Sequence, residues 1–315
     1  MNCSYCSKPA VIFRRYEGRA LCRHHFIRSF ESIVKRTIRE NQLIKRGQHI
    51  AVGLSGGKDS SAMLYILHSI AKENRKMKLS AILINEGIAG YRTEKHAKAL
   101  CKKLGVPLHI AYFKKEFKKS LDEIVKSHRK EHKNPRGEDN LKACTYCGVL
   151  RRHLLNKTAR KIAADRLAIG HNLDDEAQAI MANYIRGDIL RGVRLGANAF
   201  TTEDERFVPR IKPLRDVPEK EVALYAILKQ LPVDFGECPY ADESFRWSIR
   251  DIINNLEEKY PGTKHSIVRT FDRIKPALKS CIPDDKIGAC SVCGEPTSRK
   301  VCKVCELLGK QKTMH

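Results

Sequence analysis

The stretch that most limits the fold is QHIAVGLSGGKDSSAMLYILHSIAKE, residues 48–73. QHIAVGLS is an apolar run that reads as a buried strand. The run breaks at Gly56 and Gly57, and DSSAMLYILHSIAKE follows with the apolar spacing of a helix. A strand, a glycine loop and a helix in that order open a βαβ unit. The alternation continues. KLSAILINEG, VPLHIAYF and DRLAIGH read as further strands, and RTEKHAKALCKKLG and DDEAQAIMANYIR as helices. Such a chain is expected to be α/β, built on a parallel sheet, with ligands bound beyond the C-terminal ends of the strands. Beyond residue 217, PEKEVALYAILKQ and two more helical stretches follow.

The loop itself has the parts of an anion cradle. Gly56 and Gly57 let backbone approach phosphate oxygens closely, and the helix start directs free N–H groups and partial positive charge at them. Ser55 and Ser60 add hydroxyls, Lys58 adds charge, and Asp59 is placed to cap the helix or hold Mg²⁺. It is not a Walker A loop, because Val52 stands where that motif needs its first glycine and Asp59 follows Lys58.

Cysteine divides the rest of the chain. Cys3, Cys6, Cys22 and His25 form one cluster near the N-terminus, and Cys290, Cys293, Cys302 and Cys305 another near the C-terminus. Each pairs two C-x-x-[CH] turns, enough to close a tetrahedron around zinc with no open position, as in structural sites. His24 competes with His25, and the spacing favours His25. The expected organisation is a zinc finger over 1–27, a nucleotide-binding domain over 28–230, a helical extension over 231–286 and a zinc ribbon over 287–315. SHRKEHKNPRGEDN reads as a charged loop.

No apolar run approaches the roughly 18 residues of a membrane span, and MNCSYCSK leaves no room for a signal peptide. A cytoplasmic, reducing setting is expected, where twelve cysteines argue for metal over disulfides. With 60 Lys+Arg against 36 Asp+Glu, a net charge of +24 points to a polyanionic partner, nucleic acid first. Trp247 is expected to pack against protein in preference to a base.

In LAIGHNLDDEAQ, Gly170 and His171 end a strand, and Asp174 and Asp175 open a helix. Capping explains one aspartate; a pair facing a phosphate site also suits Mg²⁺, and Asp175 is the one expected to function. The central pair, Cys144 and Cys147, has no second pair beside it. From the residues alone it is a redox dithiol, a zinc site with another ligand, or part of a cluster. Arg151 lies one helical turn beyond Cys147, on the same face. Of the other cysteines, Cys101 reads as core, Cys281 has no evident partner, and Cys238 lies in the turn DFGECPYAD.

S-G-G-K-D-S resembles the PP-loop of the N-type ATP pyrophosphatases. With the two terminal clusters, the central C-x-x-C-G, G-H-N-x-D-D and the later Cys-Pro, nearly the whole chain resembles the TtcA/TtuA family of tRNA thiolation enzymes, nearest its TtuA-like tRNA 2-thiouridine synthetases. The resemblance implies an adenine nucleotide alpha hydrolase-like domain. ATP phosphates would bind at Ser55, Gly56, Gly57, Lys58, Asp59 and Ser60, with adenine near Gly53 and Ile84, and with Arg151, Gly170 and Asp175 as further contacts. It implies that the C2 oxygen of a tRNA uridine is adenylated and then replaced by sulfur, and that Cys144, Cys147 and Cys238 hold a [4Fe–4S] cluster with one iron left open. The implied partners are tRNA and a sulfur donor, either sulfide or a carrier protein, and a homodimer is compatible. The target base would have to leave its stack. Two other functions fit part of this sequence, a zinc-ribbon RNA-binding adaptor and a PP-loop amide-forming ligase, but neither needs the three central cysteines together.

Overall fold

The computed structural model describes residues 1–74, 76–91, 94–131, 142–198, 204–241, 245–280 and 287–309. The chain opens with a hairpin, β1 (Ile12–Arg14) against β2 (Arg19–Leu21), antiparallel, with Gly18 at φ +64° closing the turn. Cys22 then caps helix α1 (Arg23–Glu40), which runs from the cysteine module into the main body without a break, through the boundary expected after residue 27. Its buried residues Phe26, Phe30, Val34 and Thr37 recur at helical spacing, one face of an amphipathic helix.

The body follows as β3 (His49–Gly53), α2 (Lys58–Glu73), β4 (Lys78–Asn85), α3 (Glu94–Leu104), β5 (Leu108–Tyr112), α4 (Phe113–Phe117), α5 (Leu121–Glu131), α6 (Ala143–Lys161), β6 (Arg166–Ala168), α7 (Leu173–Ile185), α8 (Ile189–Val193), β7 (Arg210–Ile211) and α9 (Glu219–Leu228). Strands β3 to β7 form one parallel sheet in the order β5-β4-β3-β6-β7. Because successive strands leave β3 in opposite directions, the crossovers part between β3 and β6. That is the topological switch point, where a crevice opens beyond the strand ends.

Alternation along the strands sorts the core into two faces. Ile50, Val52, Leu83, Ala168 and Ile211 pack with α1, α2 and α9. Ala51, Ile82, Ile84 and Leu167 pack with α5 and α6 on the other side. Phe30 of α1 stacks on Tyr225 of α9, centroids 4.3 Å apart and 12° from parallel. Two long helices, α10 (Phe245–Lys259) and α11 (Thr263–Ser280), close a third core against α7 through Ile249, Ile253, Val268 and Phe271. The C-terminal module, β8 (Gly288–Ala289), β9 (Pro296–Thr297) and α12 (Lys303–Leu307), docks on α6, where Arg160 pairs with Glu295 at 2.8 Å.

The expected strands and helices are present, with three differences. β7 has two residues and carries no alternation to read. The short α8 lies within what reads as inter-element chain. The charged stretch expected to be loop from Ser127 is helical through Glu131, because Leu121, Ile124 and Val125 bury one face of α5 while Glu123 and Lys126 stay exposed. The rest of that stretch, residues 132–140, and Cys281 lie outside the described residues. No described helix is long and apolar enough to cross a membrane.

Candidate nucleotide and sulfur site

The glycine loop occupies the switch-point crevice. Gly56 takes φ +81°, a conformation that bends the chain from β3 into α2. Ser60 Oγ holds the loop's shape: it lies 3.1 Å from the Ser55 amide and 3.2 Å from Ser55 Oγ, and donates to the Gly57 carbonyl at 3.2 Å. Gly57 caps α2 without a side chain of its own, so the first-turn amides face the crevice. Opposite stands Gly170, at the end of β6. A Cβ there would lie 3.1 Å from the Ser60 amide nitrogen and 3.2 Å from the Asp59 carbonyl carbon. A glycine here lets the end of β6 and the first turn of α2 approach this closely without strain.

Charges line the crevice. Lys58 Nζ lies 2.8 Å from Glu219 and 3.1 Å from Asp59. Asp59 also accepts from the Asn172 amide side chain at 3.0 Å, and burial, against the charge of Lys58, pushes its carboxyl above the usual range. Asn172 and Asp175 form a reciprocal capping box on α7, and Asp175 pairs with Arg246 at 2.9 Å. The capping expected of one aspartate is thus carried by Asp175, whose ionised form His171 and Arg246 favour over the opposing effect of burial. Asp174 is spent elsewhere, pairing with Lys264 and accepting the Glu219 amide. Asp59 and Asp175 therefore meet across Asn172, an oxygen donor set suited to Mg²⁺ carried in with ATP. A cleft beside the loop is walled by Ser55, Ile84, Glu86, Tyr91 and Arg151. Gly53 lies deeper, where a Cβ would stand 3.6 Å from the Ala168 carbonyl and 3.7 Å from Leu155.

The three central cysteines converge at the rim of this crevice. Cys144 and Cys147 occupy the first turns of α6. The segment before Cys238 is tied to the glycine loop, with Gly57 bridged to Asp234 and the Asp234 amide donating to the Gly56 carbonyl at 2.9 Å. Beyond Cys238, Tyr240 donates to Asp122 on α5 at 2.7 Å, and its carbonyl accepts from Cys144 Sγ at 3.4 Å. Cys238 lies within electrostatic reach of Cys147. Its thiol is pushed up to about 11 by burial, an effect Arg151 opposes from 2.7 Å. Arg151 is itself tethered to Glu86 at 2.7 Å. The three sulfurs do not fall within the 4.8 Å mutual reach of ligands for one ion. That argues against a third zinc on these three, whereas a cubane cluster, which binds each cysteine through a different iron, does not require such closeness.

The terminal clusters are tight. His25 Nδ1 lies 3.3 Å from Cys3 Sγ, 3.6 Å from Cys6 Sγ and 3.4 Å from Cys22 Sγ, and Cys6 is 3.8 Å from Cys22. A tetrahedron with Zn–S bonds of about 2.3 Å has edges near these lengths. His25, not His24, completes this set. Cys290, Cys293, Cys302 and Cys305 gather in the same way, with Cys293 3.6 Å from Cys302. Burial would raise the Cys3 and Cys290 thiols, but backbone N–H donors outweigh it and bring each to about 6.

Sequence reasoning missed Glu86, Asn172, Glu219, Asp234 and Arg246. Asn172 was readable as an N-cap ahead of Leu173; the others act across contacts distant in sequence. Cys101 is buried in the core as expected, its thiol raised to about 11 by burial. Trp247 is half-buried beneath the Arg250 guanidinium, 4.7 Å from its ring.

The fold and loop define a PP-loop nucleotide-binding protein, and the family model for the PP-loop domain matches residues 23–256. A model described as the N-terminal LIM domain of the 2-thiouridine synthetase TtuA matches residues 2–27. The tRNA 2-thiolation protein NcsA of Haloferax volcanii is 38% identical over 98% of both chains. The tRNA-5-methyluridine(54) 2-sulfurtransferase of Pyrococcus horikoshii is 33% identical, over 100% of this chain and 96% of its own. The solved U34-tRNA thiolase NcsA of Methanococcus maripaludis, with its [4Fe-4S] cluster, superposes at a TM-score of 0.82 with 38% identity, covering 100% of this chain and 98% of that one. The chain belongs to the PP-loop family of tRNA 2-thiolation proteins.

Proposed function

We propose that this protein is an ATP-dependent tRNA-uridine 2-sulfurtransferase. The observation that carries the reading is the meeting of Cys144, Cys147 and Cys238 at the rim of the nucleotide loop, with Arg151 between thiol and cleft. ATP binds with its phosphates on the loop amides and the start of α2, and with its base toward Gly53 and Ile84. Lys58 leaves Glu219 for the phosphates, and Asp59 and Asp175 are the residues that would hold Mg²⁺, which would neutralise phosphate charge. The C2 oxygen of the uridine attacks the α-phosphorus, and pyrophosphate departs. The oxygen of a uridine carbonyl is a poor leaving group, whereas the same oxygen leaves readily as part of AMP, its charge met by metal and basic groups. A sulfur nucleophile attacks C2, and AMP carries the oxygen away.

Cys144, Cys147 and Cys238 are the residues that would hold a [4Fe–4S] cluster, which when bound supplies an iron without a protein ligand, open to exogenous sulfur. Arg151, held by Glu86, presents its charge to that sulfur and to the α-phosphate. The terminal clusters bind zinc and shape the two end modules. The net charge of +24 suits tRNA as substrate.

Nucleoside mass spectrometry of tRNA tests the reading. A strain lacking this gene should lose 2-thiouridine at one site. The intact gene should restore it, and a Cys238→Ala variant should not. Digestion into fragments before analysis locates the uridine. Unchanged 2-thiouridine in the deletion strain refutes the proposal.

A further inference from the structure

We propose that Arg152, Arg210 and Arg191 form a receptor for a phosphodiester of the RNA backbone, beside the cysteine site and on the α6 face of the sheet. The inference rests on the tRNA reading above and adds where the strand is gripped.

Arg151 and Arg152 are neighbours in sequence with opposite circumstances. Arg151 is neutralised by Glu86 and engaged with Cys147. Arg152 turns back along α6, so that a Cβ on Gly148 would lie 3.4 Å from its Nη1. The guanidinium therefore lies along the helix next to Cys147, with its outer edge exposed. Arg210 reaches the same place from the sheet. It is in register with Leu167, whose side chain belongs to the α6 core, while the next pair, Ala168 and Ile211, faces the α2 core. Paired residues share a face, so Arg210 projects toward α6. Arg191 comes from α8, and its one acidic partner among the described residues is Asp188, at 3.2 Å. Among the described residues neither Arg152 nor Arg210 makes an ion pair.

This gathering is unfavourable by itself. Arg152 stands within electrostatic reach of Arg210, Arg151 and Arg191, and Arg210 is partly buried. Arg152 and Arg210, which have no acidic partner among the described residues, and Arg191, whose charge Asp188 meets from one side, are stabilised by an arriving anion. A nucleotide triphosphate is the less suitable anion. Its cradle is the glycine loop at the start of α2, and the α6 residue that lines the cleft beside that loop is Arg151, with none of Arg152, Arg191 and Arg210 on its wall.

The test is tRNA binding by the full-length protein at a series of salt concentrations, comparing wild type, Arg152→Ala, Arg210→Lys and the double variant Arg152→Ala/Arg210→Ala. The double variant should bind tRNA roughly tenfold more weakly, and its log–log salt slope should fall by about 1, the signature of one lost phosphate contact. Arg210→Lys should keep most of the slope. ATP affinity by calorimetry should not move. Arg152 is exposed on a helix, so its single variant gives a reading even where the double variant melts early. Unchanged tRNA affinity and slope overturn the inference, and so does a loss confined to ATP affinity. A wild-type protein with no salt-dependent tRNA binding overturns the tRNA reading and this inference with it. A wild type that binds tRNA, matched by its variants, overturns this inference alone.

Discussion

Gly170→Ala is the sharpest single perturbation of the nucleotide crevice. The added methyl would meet the Ser60 amide nitrogen at 3.1 Å, the Asp59 carbonyl carbon at 3.2 Å and Ser60 Cα at 3.3 Å. All three are backbone atoms of the first turn of α2, so no side-chain rotation relieves the contact. Overpacking of this kind costs about 1–3 kcal/mol. The strain divides between two movements. If the start of α2 yields, its amides leave their phosphate-binding positions and ATP affinity falls. If the end of β6 yields, the capping box of Asn172 and Asp175 shifts and the fold is weakened. At 1.4 kcal/mol per tenfold, the full strain placed on the loop weakens ATP by about 5- to 140-fold. The assay is calorimetric ATP titration paired with thermal melting of the same preparation. Loss of ATP affinity, a lower melting temperature or both are expected. A variant that binds ATP and melts like wild type would show that the end of β6 and the first turn of α2 do not need this approach, and the description of the crevice would be wrong.

Four further outcomes follow from the same geometry. Arg14, with no exposed side-chain surface, grips Glu221 at 2.6 Å, and Tyr16 donates to the same carboxylate; Arg14→Ala strands a buried charge and should cost about 3–5 kcal/mol in urea denaturation, whereas a smaller loss than Arg14→Met/Glu221→Leu would contradict that account. Metal analysis should find two zinc ions per chain, and Cys302→Ser should lose one and expose residues 287–309 to protease. Glu219→Gln frees Lys58 from its partner at 2.8 Å and should tighten ATP binding by a few-fold, since a partly exposed pair is worth about 1 kcal/mol or less; weaker binding would mean that Glu219 positions the lysine for phosphate. The Cys101 thiol is raised by burial from 9.0 to about 11, so the folded state holds its proton more tightly than the unfolded one; that stability is complete below pH 9 and is lost as the pH rises through about 11, and Cys101→Ala should flatten this part of the stability profile.

The parts of the site legible in the sequence are those whose chemistry is local. A strand, a glycine pair and a helix start within a dozen residues define the phosphate cradle, because backbone amides supply the binding and neighbours in sequence are neighbours in space. The terminal clusters are legible for the same reason, since a C-x-x-C turn brings two sulfurs to one ion. Arg151 is reached by the helical repeat alone. What stayed hidden depends on chain returning from far away. Glu219 meets Lys58, Asp234 bridges Gly57, and Arg246 meets Asp175, all between elements distant in sequence. Helix α5 was obscured because its buried face is narrow and its charges dominate the composition. Arg210 gave no signal, since a two-residue edge strand has no alternation to show which face it takes.

Cys238 shows how these two kinds of information combine. Its residues alone mark a turn, and the resemblance alone makes it a ligand. The structure supplies the physical reason it meets the α6 pair. The Asp234 amide is fastened to the nucleotide loop and the Tyr240 hydroxyl to α5, and Cys238 sits between these two anchors. Anything that moves the loop at Gly56 and Gly57 therefore pulls on the segment that carries Cys238. ATP binding, which acts on that loop, and the spacing of the three thiols are mechanically linked through a single bridge, so nucleotide occupancy and the geometry of the sulfur site should change together.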